Sequence, residues 1–192
     1  MAIDLIIFVH ILSVVFMSAP LYNLIIVNER AQFGPMSYKI DRYLENLIKG
    51  SSIRCYVYQL TALVTGLLLV YLSGLGLASI VTNWVLAAKT GLLLLLMGLL
   101  SYVHFGIQPQ IEKLLAPVSE DPIPGEVVAA IKPLRIQRKR LAAGCLFLVV
   151  TIIILGLQVF TRFNPILTLA LIVSAALFSW RVYRKPIRYG WV

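Results

Sequence analysis

Charged residues are scarce in this sequence, and acidic residues are the scarcest. They make up 13% of the 192 residues, with 8 acidic against 17 basic side chains. A soluble domain of this size carries roughly twice that charged fraction, because its surface must face water. The few charges also fall in clusters between long apolar runs, which is typical of bilayer-spanning helices. The composition therefore excludes an ordinary soluble domain.

Potential metal ligands are also few: two cysteines, two histidines and four methionines. Cys55 and Cys145 form neither a disulfide framework nor a metal-finger spacing, and we expect both near the cytoplasmic face, where thiols stay reduced. A metal transporter is disfavoured, because no methionine-rich or histidine-rich path is present. No hydrolase triad, phosphate loop or acidic metal cluster is apparent either.

The net charge of +9 is explained by membrane topology rather than by nucleic-acid binding. Most of the chain would lie in lipid, and basic residues hold cytoplasmic loops on their side and meet anionic headgroups. We therefore expect membrane lipids as partners, no nucleic acid, and a homo-oligomer or a larger membrane complex.

Five apolar segments are long enough to cross a hydrocarbon core of about 30 Å, which takes about 20 helical residues. The sequence predicts an all-α membrane bundle with a single transmembrane domain over residues 1–192. The first segment is too long for a typical signal peptide and lacks a basic start, so we predict a retained helix. The predicted spans are residues 3–27, 53–72, 84–105, 141–160 and 165–182.

The basic residues predict that the amino terminus is outside and the carboxyl terminus cytoplasmic. The second connection has no charge and the fourth has only Arg162. Five spans place the first connection, the third connection and the tail on one side, as the positive-inside rule requires in an inner (cytoplasmic) membrane. These three segments carry Arg30, Lys39, Arg42, Lys49 and Arg54; Lys113, Lys132, Arg135, Arg138, Lys139 and Arg140; and Arg181, Arg184, Lys185 and Arg188.

Three further features concern the membrane interface. Residues 38–49 are predicted to form an amphipathic interfacial helix with one apolar face, and residues 129–140 to extend the fourth span into the cytoplasm. Tryptophans are expected to serve as interfacial anchors. The apolar face comprises Ile40, Tyr43, Leu44 and Leu47, and the anchors are Trp84, Trp180 and Trp191.

Two ionisable residues fall inside the predicted spans, where they require a partner or a function. His10 lies about 10 Å into the first helix, and Lys89 lies about 7–8 Å beyond Trp84, at a similar depth. An imidazole and a deprotonated amine can both ligate heme iron. Two simpler interpretations stay open: Lys89 could snorkel to the interface, and His10 could hydrogen-bond a neighbouring helix.

His104 does not belong to that pair, because it lies about 22 Å further along the same helix as Lys89. A single heme held by both histidines of one subunit is therefore disfavoured. With Cys55 and Cys145 at the same end, His104 could bind copper or zinc, but packing is the preferred interpretation.

The second span carries a polar stripe of Arg54, Tyr58, Thr61 and Thr65 on one face. Interhelical hydrogen bonding is the favoured interpretation. The alternative is one wall of a cofactor pocket, with Arg54 meeting a propionate or a headgroup.

The first helix, with Phe8-Val9-His10-Ile11-Leu12, resembles the opening helix of the HemJ-type protoporphyrinogen oxidases and the related CopD-like membrane proteins. The segment from Trp84 through Lys89 to Tyr102 is similar to the third helix of that family. The resemblance covers roughly the first 110 residues and implies a heme b site built on His10 and Lys89. Met17 stands where the family has a tryptophan, and Pro20 where it has a glycine.

The predicted cofactor-binding residues are therefore His10, Lys89, Arg54 and Met17. His10 and Lys89 are the expected heme-iron ligands, and His104 is a weaker candidate metal ligand. The predicted function is a heme b membrane redox protein, an oxidoreductase-like chain that passes electrons between porphyrinogen or quinol and a partner. The alternative is a non-catalytic accessory subunit of a larger respiratory or photosynthetic complex.

Overall fold

Five helices of this protein are long and apolar enough to cross a membrane. The computed structural model describes residues 2–28, 37–118, 121–159 and 163–184, and within these ranges the chain has no strand. The prediction of an all-α bundle with five membrane spans is confirmed. The candidate spans are Ala2–Asn28, Tyr38–Leu72, Trp84–Leu115, Gly125–Leu157 and Pro165–Arg184. Arg30, Phe160, Arg162, Lys185, Arg188 and Trp191, which the sequence predictions also used, lie outside the described residues.

The helices follow one another with short connections. In chain order they are α1 (Ala2–Asn28), α2 (Tyr38–Leu72), α3 (Ser79–Thr82), α4 (Trp84–Ser101), a π-helix (Tyr102–Ile107), α5 (Gln108–Leu115), α6 (Gly125–Leu157) and α7 (Pro165–Arg184). Helix α4, the π-helix and α5 form one continuous helix. The π-helix lies directly before Pro109. Because Pro109 has no N–H, it cannot donate an α-helical hydrogen bond to the Phe105 carbonyl, and the backbone forms the wider π-helical turn there.

Helices α2 and α6 are much longer than the bilayer is thick. They contain 35 and 33 residues, or about 50 Å each at 1.5 Å per residue. A hydrocarbon core of about 30 Å leaves roughly 20 Å of each helix projecting from it. Because α6 begins at Gly125, residues 129–140 form the predicted helical extension of the fourth span.

Residues 38–49 are helical, as predicted, and continue into the second span without a break, as the first part of α2. Ile40 and Tyr43 are 52% and 67% exposed, whereas Asp41 and Glu45 are buried. Ile48, which the predicted apolar face did not include, is also buried. The segment therefore turns a mixed polar and apolar face towards the protein.

The projecting ends of α2 and α6 pack with α5 into a small helical unit, which we call the head. It has its own apolar core, separate from the core of the spans. Partly buried Tyr38 of α2 and Leu134 of α6 pack against this core. The buried residues of the head core are Val103, Ile107, Ile111, Leu115, Val118, Ile123 and Ile131.

Candidate functional site

His10 of α1 is held against α2 by a side-chain hydrogen bond. Its Nδ1 lies 2.9 Å from Oγ1 of Thr65. When that hydroxyl donates its hydrogen to the Thr61 carbonyl at 2.6 Å, it accepts from the imidazole, and His10 carries its hydrogen on Nδ1. In that tautomer the other ring nitrogen, Nε2, has the lone pair.

A glycine on α2 makes room for the His10 ring. A Cβ atom at Gly66 would lie 3.3 Å from His10 Cε1, closer than most real Cβ contacts. The absence of a side chain at Gly66 lets the ring lie directly against the α2 backbone. Thr65 thus sets the orientation of the imidazole, and Gly66 sets how closely the ring approaches the α2 backbone.

Lys89 of α4 lies in the same half of the bundle and uses a second glycine. Its Nζ would lie 3.5 Å from a Cβ atom at Gly156 of α6. The lysine is partly buried and makes no hydrogen bond or ion pair with the described residues. An imidazole of α1 that packs on α2 and an amine of α4 that packs on α6 thus lie towards the same end of the bundle.

Two other predicted cofactor residues lie away from this pair. Met17 is 0% exposed in the apolar core of the spans, seven residues and about 10 Å along α1 from His10. Arg54 is exposed and lies eleven residues, about 16 Å, before Thr65 on α2. Of the predicted polar stripe, Thr65 contacts the imidazole and Thr61 supports Thr65 through its carbonyl.

His104 lies in the π-helix that follows α4. Its ring meets the edges of Tyr56 and Phe105, with centroid distances of 5.9 Å and 4.8 Å. Its buried Nδ1 has no partner among the described residues. Cys55 and Cys145 are buried free thiols. In the described part of the chain no three His, Cys, Asp or Glu side chains are placed to hold a metal ion.

A buried charge network, which sequence reasoning missed, lies where the head joins the spans. Arg138 of α6 is 0% exposed and donates to Glu45 of α2 at 2.8 Å and 3.0 Å. It also donates to the side-chain oxygen of Asn28 at the end of α1, at 2.7 Å and 3.0 Å, and to the side-chain Oε1 of Gln108 at the start of α5. One guanidinium therefore joins four helices.

Arg135 extends the network by one turn of α6. It donates to Asp41 at 2.6 Å and to Glu45 at 3.1 Å and 3.2 Å. Gln108 closes the group by donating to Glu45 at 3.2 Å. Buried charges persist only when they are paired and hydrogen-bonded, and each arginine here meets a carboxylate.

The network changes the interpretation of two basic residues. Arg135 and Arg138 were counted with the cationic residues of a cytoplasmic loop that meets lipid headgroups, but their guanidinium groups point into the protein. The sequence signal was the spacing: Asp41 and Glu45 are four residues apart, Arg135 and Arg138 three, so each pair shares one helix face. Pairing these two faces requires the tertiary fold.

Together, the fold and the site define a polytopic helical membrane protein with an imidazole and an amine inside the span region and a paired charge network at one end. No family model, curated protein or solved structure matches this chain.

Proposed function

We propose that this protein is a heme b-binding redox protein of the inner membrane. His10 Nε2 is the axial ligand of the iron, and the Lys89 amine is the second ligand or the partner of a heme propionate. The observation that carries the proposal is the hydrogen bond from His10 Nδ1–H to Thr65. Metal-ligating histidines almost always donate their other ring N–H in this way, which fixes the tautomer and the ring orientation.

The residues around His10 have separate tasks in this proposal. Thr65 holds the free nitrogen in one direction, and Gly66 lets the ring approach α2 closely. Lys89 supplies either a lone pair or a positive charge, since no described acidic side chain pairs with its amine. A bound heme would supply one-electron transfer between porphyrinogen or quinol and a partner.

The first experiment is an optical spectrum of detergent-purified protein, produced with ample heme. We expect a Soret band that disappears in His10→Ala. His104→Ala is the matched control, because that histidine lies at the other end of the bundle and its loss should leave the band unchanged. A colourless wild-type protein, or a band that survives in His10→Ala, would exclude the proposal.

Copurification of a colourless chain with a fixed set of larger partners would indicate an accessory subunit instead.

A second pair of variants tests the hydrogen bond itself. Thr65→Val keeps the shape of the side chain but removes the acceptor, so heme affinity should fall 10–100-fold, as is usual when such an outer partner is lost. Thr65→Ser keeps the hydroxyl and should bind heme as the wild type does. Heme titration of the two purified variants gives the comparison. Equal affinities would show that the Thr65 hydroxyl does not orient a ligand.

A further inference from the structure

Arg54 is an exposed cation at the edge of the spans. It makes no hydrogen bond or ion pair with the described residues. A hydrocarbon core of about 30 Å takes about 20 helical residues, and counting back from Leu72, where α2 ends, reaches Ile53. Arg54 therefore lies at the boundary of the core, on the side of the head. A guanidinium at this depth requires an anion or water.

Helix α1 presents a polar side chain next to this arginine. Phe16 of α1 stacks on Tyr58 of α2, with the ring centroids 5.8 Å apart. Arg54 lies one turn before Tyr58, and Asn23 lies two turns after Phe16. Because consecutive spans run in opposite directions, both polar residues lie on the head side of the stacked rings. Asn23 is exposed and its amide has no hydrogen-bond partner among the described residues.

The two polar side chains lie at nearly the same height in the membrane. The backbone of Arg54 is about 6 Å from the level of the stacked rings and that of Asn23 about 10 Å. Side chains tilt towards the amino terminus of their helix, so in two antiparallel helices Arg54 and Asn23 lean towards each other. Between them α1 carries exposed Ala19, whose methyl group leaves the surface open.

The positive charge of Arg54 is not compensated on this face. Lys49, about one and a half turns closer to the head, pairs with Glu112 at 3.2 Å. Glu45 is buried and turned towards Arg138. No described acidic side chain lies on the face that Arg54 and Asn23 share. The site therefore has room for one negative charge.

We propose that this face binds one anionic phospholipid, with its phosphate between Arg54 and Asn23. A guanidinium recognises phosphate through two parallel hydrogen bonds, and the Asn23 amide can donate to a further phosphate oxygen. The acyl chains then lie along the exposed side chains of Val57 and Leu60, which follow Arg54 into the core. A zwitterionic lipid fits less well, because its ammonium group meets no described carboxylate here.

Native mass spectrometry of the full-length protein in detergent tests the site, with phosphatidylglycerol as the probe and phosphatidylcholine of the same acyl chains as the reference. We expect one phosphatidylglycerol to bind at least tenfold more tightly than phosphatidylcholine. Arg54→Gln should weaken phosphatidylglycerol binding at least tenfold. Asn23→Leu should weaken it about two- to tenfold, as the loss of one hydrogen bond does.

Arg42→Gln is the matched control for the Arg54 variant. It removes the same charge from an exposed position of the same helix, twelve residues and about 18 Å further from the core. Its affinity for phosphatidylglycerol should equal that of the wild type. Equal affinities in Arg54→Gln and Arg42→Gln, or equal binding of the two lipids to the wild type, would overturn the proposal.

The lipid site does not depend on the proposed heme function, and the two are measured separately. His10→Ala should keep its affinity for phosphatidylglycerol, so a colourless protein that still binds this lipid refutes only the heme proposal. A Soret band that weakens in Arg54→Gln, with unchanged phosphatidylglycerol binding, would assign the arginine to a heme propionate and overturn the lipid site.

Discussion

At the scale of single residues, His10 and Thr65 show how one hydrogen bond selects the chemistry of a side chain. Thr65 uses its only hydrogen on the helix carbonyl of Thr61, as threonines inside helices often do. With the hydroxyl as acceptor, the imidazole that donates to it carries its hydrogen on Nδ1, and Nε2 is then the nitrogen with a lone pair.

Arg138 carries the clearest prediction for stability. Arg138→Leu should lower the free energy of unfolding by about 3–5 kcal/mol, because it leaves Glu45 and Gln108 buried with fewer partners. Thermal unfolding of the purified protein in detergent measures the effect.

Arg140→Leu provides the control for the Arg138 variant, because it removes the same charge from an exposed position two residues away. Its effect should stay within about 0.5 kcal/mol. If the two variants unfold alike, the network does not stabilise the junction between the head and the spans.

At the scale of the helices, α2 shows how one helix serves two environments. Its first part belongs to the head and buries Asp41 and Glu45 against α6, and its second part presents Thr65 and Gly66 to His10. Because the helix is continuous, the head and the His10 site share one rigid element. The π-helix after α4 has a related role, since its wider turn shifts the register of α5, which carries Gln108 into the network.

Two isoleucines show which face of the first part of α2 packs against the protein. Ile48 is 2% exposed, so Ile48→Ala should cost about 2–5 kcal/mol of stability. Ile40 is 52% exposed, and Ile40→Ala should have little effect on unfolding. Both are measured by thermal unfolding in detergent and by retention of the protein in washed membranes. A larger loss for Ile40→Ala than for Ile48→Ala would favour a helix that lies in the interface.

At the scale of the whole molecule, the two ends of the bundle have different chemistry. The head end holds paired charges and an apolar core of its own. The opposite end holds the imidazole and the amine. The basic loops predict that the head faces the cytoplasm.

Cysteine labelling tests that orientation. Leu75→Cys lies in the connection between α2 and α4, and Lys132→Cys lies on the exposed surface of the head. The native Cys55 and Cys145 are buried and should react little with the label. A membrane-impermeant maleimide should label position 75 in intact cells, and position 132 only after permeabilisation. The reverse pattern would overturn the prediction that the amino terminus is outside.

The number and approximate positions of the spans could be predicted because hydropathy is a local property. A segment of about 20 apolar residues must form a helix in lipid, where every backbone group needs an internal partner. The depth of His10 and Lys89 followed from the same arithmetic. The same rise also places Met17 about 10 Å from His10 and Arg54 about 16 Å from Thr65, whereas rotation, which the rise does not give, decides that Thr65 faces His10.

What the sequence determined by itself is the class of protein, an all-α chain with five apolar helices, because the energetics of burial in lipid act on each segment independently. The tertiary structure alone decided which polar groups meet. Asp41 with Arg135, and Glu45 with Arg138, are some ninety residues apart in the chain. The direction of the His10 hydrogen bond likewise depends on Thr65, fifty-five residues away. Such pairs depend on helix rotation and packing, which no local pattern of residues specifies.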